Sequence, residues 1–538
     1  MENTENTGAK KDPAITEGSG AGITEQVDDN VSYYDDKVNA IDNRQRISVS
    51  NIKELHKLSE LTLMGIIKAM RPVYQMDGIP VRVRQIDGSG ARIEPLNQDS
   101  LRHEASQSNC YLKIKTDAEG KICFTQIPPP VDVIKDALAS TESPLPSING
   151  ILSHPTISEN GKVIHKPGYN AEIKLYIDAD AEILKAAENI SATPTTEEID
   201  AAVRAIDEVI LDFPFKSESD RAGYFAMLLT LLFRPLISGS IPLFLIRAPT
   251  PGTGKTLIGE TSIKISSGHS PAPTPWTDND EELKKTLHSS LLSGAEYIFI
   301  DNVNTKIKSG ILAAIATSRR LNCRILGVSK MASVPCNAPI IITANNPDLS
   351  REIARRCVPI ELVSDFENPS ERTGFKYPDL NQYITDNRPE LVRACLVMAR
   401  AWFADENDVS GVNILSSFED WSKTIGGILK SCGVKGFLEN TGEFFSAADG
   451  ETENLVAFVQ AWHNKKGNSP AIAKDILPLA MEYGLISDKY HAEGSQVKAL
   501  GRILKQKQDM VFSGIKIVRG LRLNGIYTWK TINIKEVL

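Results

Sequence analysis

Residues Ile246–Thr256 read IRAPTPGTGKT, an apolar strand end that runs into a Gly-rich loop closed by Gly254-Lys255-Thr256. In such a loop successive backbone N–H groups turn inward and cradle phosphate oxygens, a lysine neutralises them, and a Ser/Thr hydroxyl reaches Mg²⁺. Pro251, Gly252, Thr253, Gly254, Lys255, Thr256 and Leu257 are therefore the expected nucleotide-binding residues. The usual pattern opens on glycine where this chain has Pro249. The flanks favour the phosphate loop over a chance Gly/Pro turn: Leu243 to Ile246 predicts a buried strand, and Leu257 onwards a helix.

Working outward, a second apolar run ends in an acid, Tyr297-Ile298-Phe299-Ile300-Asp301-Asn302. A carboxylate at the tip of a parallel strand beside a phosphate loop holds Mg²⁺, so Thr256 and Asp301 form the expected metal pair. A third run, Ile340 to Ala344, ends in Asn345, an amide that can bind water or the γ-phosphate. Arg355 and Arg356 then precede a fourth run, Cys357 to Leu362. Arginines there can stabilise transition-state charge on a neighbouring subunit's nucleotide.

The order strand–loop, strand–Asp, strand–Asn, Arg–strand is that of an AAA+ core. The stretches APTPGTGKTLIGE, YIFIDNVN, CRILGVSK, ITANNPDLSREIARRCVPIEL and RPELVRACLVMARAWF resemble ATPases of prophages and integrative mobile elements, related to superfamily 3 and MCM-like helicases. The resemblance covers roughly residues 60–538 and is most specific over 243–430. It implies ATP and Mg²⁺ as cofactors, DNA as partner, a hexameric ring, and replication proteins as further partners. It also implies that a hairpin before the third motif holds DNA in the ring channel, which would place Lys330 at the tip; an ordinary surface turn is the alternative.

One position departs from most AAA+ cores, where glutamate follows the metal-site acid and orients water. Here it is Asn302, which can position water but cannot take its proton. The resembled family shares the Asp-Asn pair. Glu282 is one candidate for the polarising residue, with a solvated helix acid as the competing reading.

The 538 residues suggest three or four domains. The expected fold is an α/β AAA+ P-loop core with an α+β N-terminal domain, a helical lid and a C-terminal winged helix. The expected boundaries are an acidic tail at 1–45, an accessory domain at 46–205, the core at 206–385, lid and linker at 386–464, and a winged helix at 465–538. The tail carries ten acids against four bases and reads as disordered. Residues 465–538 carry thirteen Lys/Arg against six acids, so the net charge of −8 hides a basic C-terminus. There, helix, helix and hairpin predict a DNA-binding module in which Lys498, Arg502 and Lys505 contact phosphate; a protein-docking module with a solvated basic face is the alternative.

Asp77-Gly78 and the Asp117–Gly120 stretch predict two hairpins in the accessory region. Asp178-Ala179-Asp180 could pair as metal carboxylates in a primase, yet the Ser-x-His that chemistry needs occurs only as Ser267-Gly268-His269, at the end of the phosphate-loop helix. Arg388 and Arg393, on a helix predicted over Arg388–Phe403, are candidates to sense nucleotide from the lid. Seven cysteines without a CxxC pair, eight scattered histidines and no membrane-length apolar run argue against a disulfide frame, a zinc site or a membrane protein, and point to the cytoplasm. Two functions fit: a ring-forming ATP-driven DNA helicase or replication initiator of a mobile element, or a non-unwinding AAA+ DNA-bound regulator or assembly switch.

Overall fold

The computed structural model describes residues 44–49, 54–86, 90–116, 118, 120, 122–140, 142–324, 331–345, 347–447, 450–486, 492–523 and 525–534. The expected tail at 1–45 thus lies almost wholly outside the described residues. The chain forms two compact units, one from Met1–Arg71 with Asn97–Pro144, the other from Pro72–Leu96 with Leu145–Leu538. The 46–205 stretch is therefore not one body: its contacts divide between the two units.

In the first unit, strand Gln45–Ser48 pairs in parallel with Asn109–Thr116, which pairs antiparallel with Ile122–Ile127. The predicted second hairpin is this last pair. Helices Leu55–Lys68, Gln98–Ser108 and Val131–Ala139 pack with it around Ile47, Leu58, Tyr111 and Val133.

The second unit opens with the first predicted hairpin, Val73–Met76 against Ile79–Ile86, extended by Gly90–Pro95. Its two turn residues, Asp77 and Gly78, both have positive φ, 50° and 78°. Such a pair matches the twist of the flanking strands, and Asp and Gly are the residues that tolerate it.

At the centre lies a four-stranded parallel sheet in the order Ile298–Val303, Ile340–Asn345, Leu243–Ala248, Cys357–Glu361. These strands are almost continuously apolar, as strands buried on both faces must be. The phosphate-loop strand is central, flanked by the Asn345 strand and by the strand that follows the two arginines. Helices Glu218–Leu232, Lys255–Ser267, Leu380–Ala404 and Glu419–Ser431 pack in the same core, with Trp421 and Tyr224 fully buried. The helix expected to start at Arg388 starts at Leu380 instead and runs through Pro389. Proline costs a helix one hydrogen bond, and the burial of Ile384, Leu391, Val392 and Leu396 outweighs that loss.

The C-terminal part has its own core, built from Leu455, Phe458, Trp462, Ile476, Leu500, Leu504, Ile517 and Trp529. Helices Gly450–Lys466, Ala473–Glu482 and Glu493–Gln506 surround a sheet ordered Ala471–Ile472, Ile526–Asn533, Ile515–Leu523, Val511–Phe512. The helix from Gly450 contributes to this core, so the packed module begins some way before residue 465. No described helix is long and apolar enough to cross a membrane.

Candidate nucleotide site

The phosphate loop leaves its strand at Ala248 and enters the helix Lys255–Ser267 through Gly254, the helix N-cap. Gly252 and Gly254 take φ of 78° and 94°. A β-carbon on Gly252 would stand 3.1 Å from the backbone N of Ser370, and one on Gly254 would stand 3.0 Å from the Phe213 ring, so both space and backbone demand glycine. Position 249 has no positive φ, which is why proline is tolerated there. The helix N-terminus directs free N–H groups and the positive end of its dipole at this loop.

Lys255 is buried, with Nζ 3.3 Å from the Thr250 carbonyl and 3.5 Å from Thr253 Oγ1. Burial holds its ammonium below the ordinary lysine pKa, partly offset by the charge of Asp301. The Thr256 hydroxyl donates to Asp301 Oδ1 at 2.8 Å. The two oxygen groups expected around Mg²⁺ are therefore in contact across the sheet top, and hard oxygen donors of this kind suit that ion.

Thr343 escaped the sequence reading. Its hydroxyl donates to Asp301 Oδ1 at 2.5 Å and accepts from the Asn302 N–H at 2.8 Å. Asn345 Nδ2 donates to Asn302 Oδ1 at 3.3 Å, while Asn345 Oδ1 is buried with no hydrogen-bond partner among the described residues. Asp301 and Asn302 interrupt the strand register, and Asn302 has a φ of 55°. Asparagine is one of the few residues that enter this region readily, so the bulge gives a backbone reason for amide rather than glutamate at 302. A second carboxylate, Glu260, lies one turn beyond Thr256 on the same helix; burial and then the charge of Asp301 raise its pKa.

Arg355 and Arg356 follow the short helix Arg351–Ala354. Arg356 Nη1 donates to the Glu352 carbonyl at 2.6 Å and Nη2 lies 3.4 Å from the Glu352 carboxylate. Arg355 is exposed and makes no side-chain hydrogen bond or ion pair among the described residues. Both sit at the start of the strand whose first residue pairs with Leu243, the opposite end of the sheet from the phosphate loop. At ~3.3 Å per residue, the length of the Leu243–Ala248 strand separates them from this chain's own phosphate site.

Several candidates fall elsewhere. Arg388 is buried at the far end of the phosphate-loop helix, donating to the Ile265 carbonyl at 2.9 Å, the Ser266 carbonyl at 2.5 Å and the Ser153 carbonyl at 2.8 Å. It satisfies helix C-terminal carbonyls, and cations belong there, so it is no nucleotide sensor. Arg393 instead donates to the Ala186 carbonyl at 2.8 Å. Glu282 is an exposed first-turn acid paired with Lys285 at 2.6 Å. Asp178 accepts from Gln85 at 2.5 Å and from the Ala91 N–H at 2.7 Å, while the exposed Asp180 lies 3.8 Å from the Arg388 guanidinium, so the two carboxylates have separate partners.

Lys330 lies outside the described residues. Strands Arg320–Arg324 and Met331–Pro335 on either side of it form a two-stranded antiparallel arm. Asp77 grips the arm's base, accepting from Arg320 Nη2 at 2.5 Å and from the Ser333 N–H at 2.8 Å. In the C-terminal module Lys498, Arg502 and Lys505 are exposed along one helix face, opposite the buried Ala499, Leu500 and Leu504. The adjoining hairpin adds residues the sequence reading missed. Arg519 and Arg522 lie 3.3 Å and 4.2 Å over the Tyr527 ring, beside the exposed Leu521, Leu523 and Ile526.

Neither a family model nor a curated protein matches this chain. Among solved structures, the NrS-1 C-terminal region is similar at 11% identity, with a TM-score of 0.41, over 88% of this chain and 99% of that one. The SCCmec type IV Cch helicase is similar at 11% identity, with a TM-score of 0.33, over 87% and 94%. The JCV helicase is similar at 12% identity, with a TM-score of 0.20, over 50% and 75%. These likenesses are loose, and the chemistry rests on the site itself.

The site sets a buried lysine at a helix N-terminus opposite a carboxylate–hydroxyl pair. Such a set of groups could bind phosphate oxygens, and the linked amides of Asn302 and Asn345 could hold a water.

Proposed function

We propose that the chain is an ATP-dependent, ring-forming DNA helicase or replication initiator of a mobile genetic element. The observation that carries the ATPase half is the 2.8 Å contact of Thr256 with Asp301 beside the buried Lys255. The strand order of the parallel sheet and its C-terminal helices support an AAA+ core with a helical lid. The mobile-element context rests on the sequence resemblance alone.

In this reading Thr256 and Asp301 hold Mg²⁺, which supplies charge neutralisation at the β- and γ-phosphates. The loop N–H groups and Lys255 orient the triphosphate. Asn345 and Asn302 position water, and Thr343 fixes Asp301 and the Asn302 backbone. Arg355, exposed and at the sheet end opposite the phosphate loop, is assigned to a neighbouring subunit's nucleotide in this reading, with a ring, hexameric by resemblance, as the active form. The C-terminal helices and hairpin have the order of a winged helix, and the exposed bases of its last helix fit phosphate contact.

The test is turnover and strand displacement on a forked duplex with MgATP. Wild type should hydrolyse ATP and unwind, and Lys255→Ala should do neither, because the lysine's stabilisation is concentrated in the transition state. ATP hydrolysis without unwinding would favour the regulator or assembly switch instead.

A further inference from the structure

After the last core strand the chain runs from Phe366 to Tyr377 with no regular structure except the turn Pro369–Glu371. This strap lies on the phosphate loop, since a β-carbon on Gly252 would meet both the N and Cβ of Ser370 at 3.1 Å. It is tied to the chain preceding the core. Arg372 Nη2 donates to the Asp212 carbonyl at 3.0 Å, the Lys376 N–H to the Asp212 carboxylate at 2.8 Å, and the Tyr377 hydroxyl to Glu208 at 2.6 Å. The next residue after Asp212 is Phe213, whose ring lies against Gly254. Strap and 208–213 segment therefore flank the loop at its two left-handed glycines.

On this strap the Arg372 guanidinium sits 5.2 Å from the Phe375 ring centre and 5.9 Å from that of Phe366. The rings are 42% and 58% exposed. Two half-open aromatic rings on a strap that meets the loop at Ser370, each with the Arg372 guanidinium over it, offer a stacking surface for something flat. A nucleotide whose phosphates lie on the loop carries such a group at its other end.

We propose that Phe366, Arg372 and Phe375 form the base-side wall of the nucleotide site and select a purine by stacking. The inference rests on the nucleotide reading of the loop. Aromatic and guanidinium faces stack any base, and a purine offers the larger face. Removing one such platform costs about 1–3 kcal/mol per base, which is about 5- to 150-fold in affinity.

The experiment uses the full chain and compares steady-state hydrolysis of ATP and UTP by wild type, the Phe366→Ala/Phe375→Ala double variant and Phe375→Tyr. The double variant should raise the KM for ATP about tenfold with kcat retained at saturation, and should lose the preference for ATP over UTP by the same factor. Phe375→Tyr keeps a ring and should keep the wild-type KM, which separates lost stacking from lost folding. An unchanged ATP KM overturns the proposal, as does an equal rise for ATP and UTP. A changed sedimentation coefficient with unchanged KM also overturns it, and makes the strap a contact between copies of the chain. Failure of wild type to bind either triphosphate would instead sink the phosphate-loop reading.

Discussion

Replacing Thr343 by valine should damage the site without touching any group expected to meet nucleotide. Valine keeps the shape of threonine and the strand preference of a β-branched residue, so the sheet has no reason to rearrange. It deletes two hydrogen bonds at once, the 2.5 Å bond to Asp301 and the 2.8 Å bond from the Asn302 N–H. A bond to a charged carboxylate contributes about 1.5–3 kcal/mol, and a buried donor left unpaired costs about 1–3 kcal/mol. Thr343 is 1% exposed, so water cannot replace it. The expected loss of stability is therefore at most about 2.5–6 kcal/mol, before relaxation. Partners that orient a metal-binding carboxylate typically govern about 10- to 100-fold in metal affinity or activity. Thr343→Val should lower kcat by that factor and raise the Mg²⁺ concentration for half-maximal turnover, while Thr343→Ser stays within about threefold of wild type. The assay is phosphate release against a Mg²⁺ titration, with thermal unfolding alongside. A folded valine variant with wild-type kcat and wild-type Mg²⁺ dependence would refute the reasoning, because Asp301 would then need no support from the third strand.

Three more expectations follow from the same geometry. Arg355→Ala subunits and Lys255→Ala subunits should each be inactive alone and regain part of their turnover when mixed, since a trans arginine contributes ~10³-fold or more; no recovery at any ratio counts against the shared site. Burial raises the Glu296 carboxyl to about 7, opposed by the Ser153 N–H and by Arg388. Its folded pKa exceeds the ordinary value of 4.5, so the protonated form stabilises the fold; that contribution is full below 4.5 and disappears as pH rises through 7. Glu296→Gln should accordingly raise the melting temperature relative to wild type at pH 8 but not at pH 4.5, and an equal shift at both would contradict this. Finally, Lys498→Ala/Arg502→Ala/Lys505→Ala should flatten the log–log salt dependence of duplex binding by about 0.9 per lost phosphate contact. Arg519→Ala/Arg522→Ala on the hairpin should do the same if that edge also meets the backbone, and an unchanged slope in both variants would remove the module from DNA binding.

The Gly-rich turn into the Lys255–Ser267 helix was readable because its residues are consecutive, and the strand that carries Asp301 because its apolar run is unbroken up to that acid. Thr343 was not, since a threonine in a buried strand is also what strand propensity selects. Arg388 was misplaced because the helix pattern gives its face but not its partner. Its target is the C-terminus of a helix more than a hundred residues earlier. Pro389 hid the first two turns of the same helix, and an apolar stripe too irregular to read hid the Gly450–Lys466 helix. The strap from Phe366 to Tyr377 has no period at all, so only its contacts disclose it.

The grip of Asp77 on the arm beside Lys330 has a mechanical meaning. Ser333 N–H is a donor of the arm's own strand, and Arg320 ties the opposite strand to it through Ser333 Oγ at 3.0 Å. To move, the arm must carry the 73–95 sheet with it or break two bonds to one carboxylate. The same sheet rests on Gly294 through Ile93, where a β-carbon would come within 3.0 Å, just ahead of the strand that carries Asp301. The small three-stranded sheet thus touches both the base of the arm and Gly294, four residues ahead of the strand that carries Asp301.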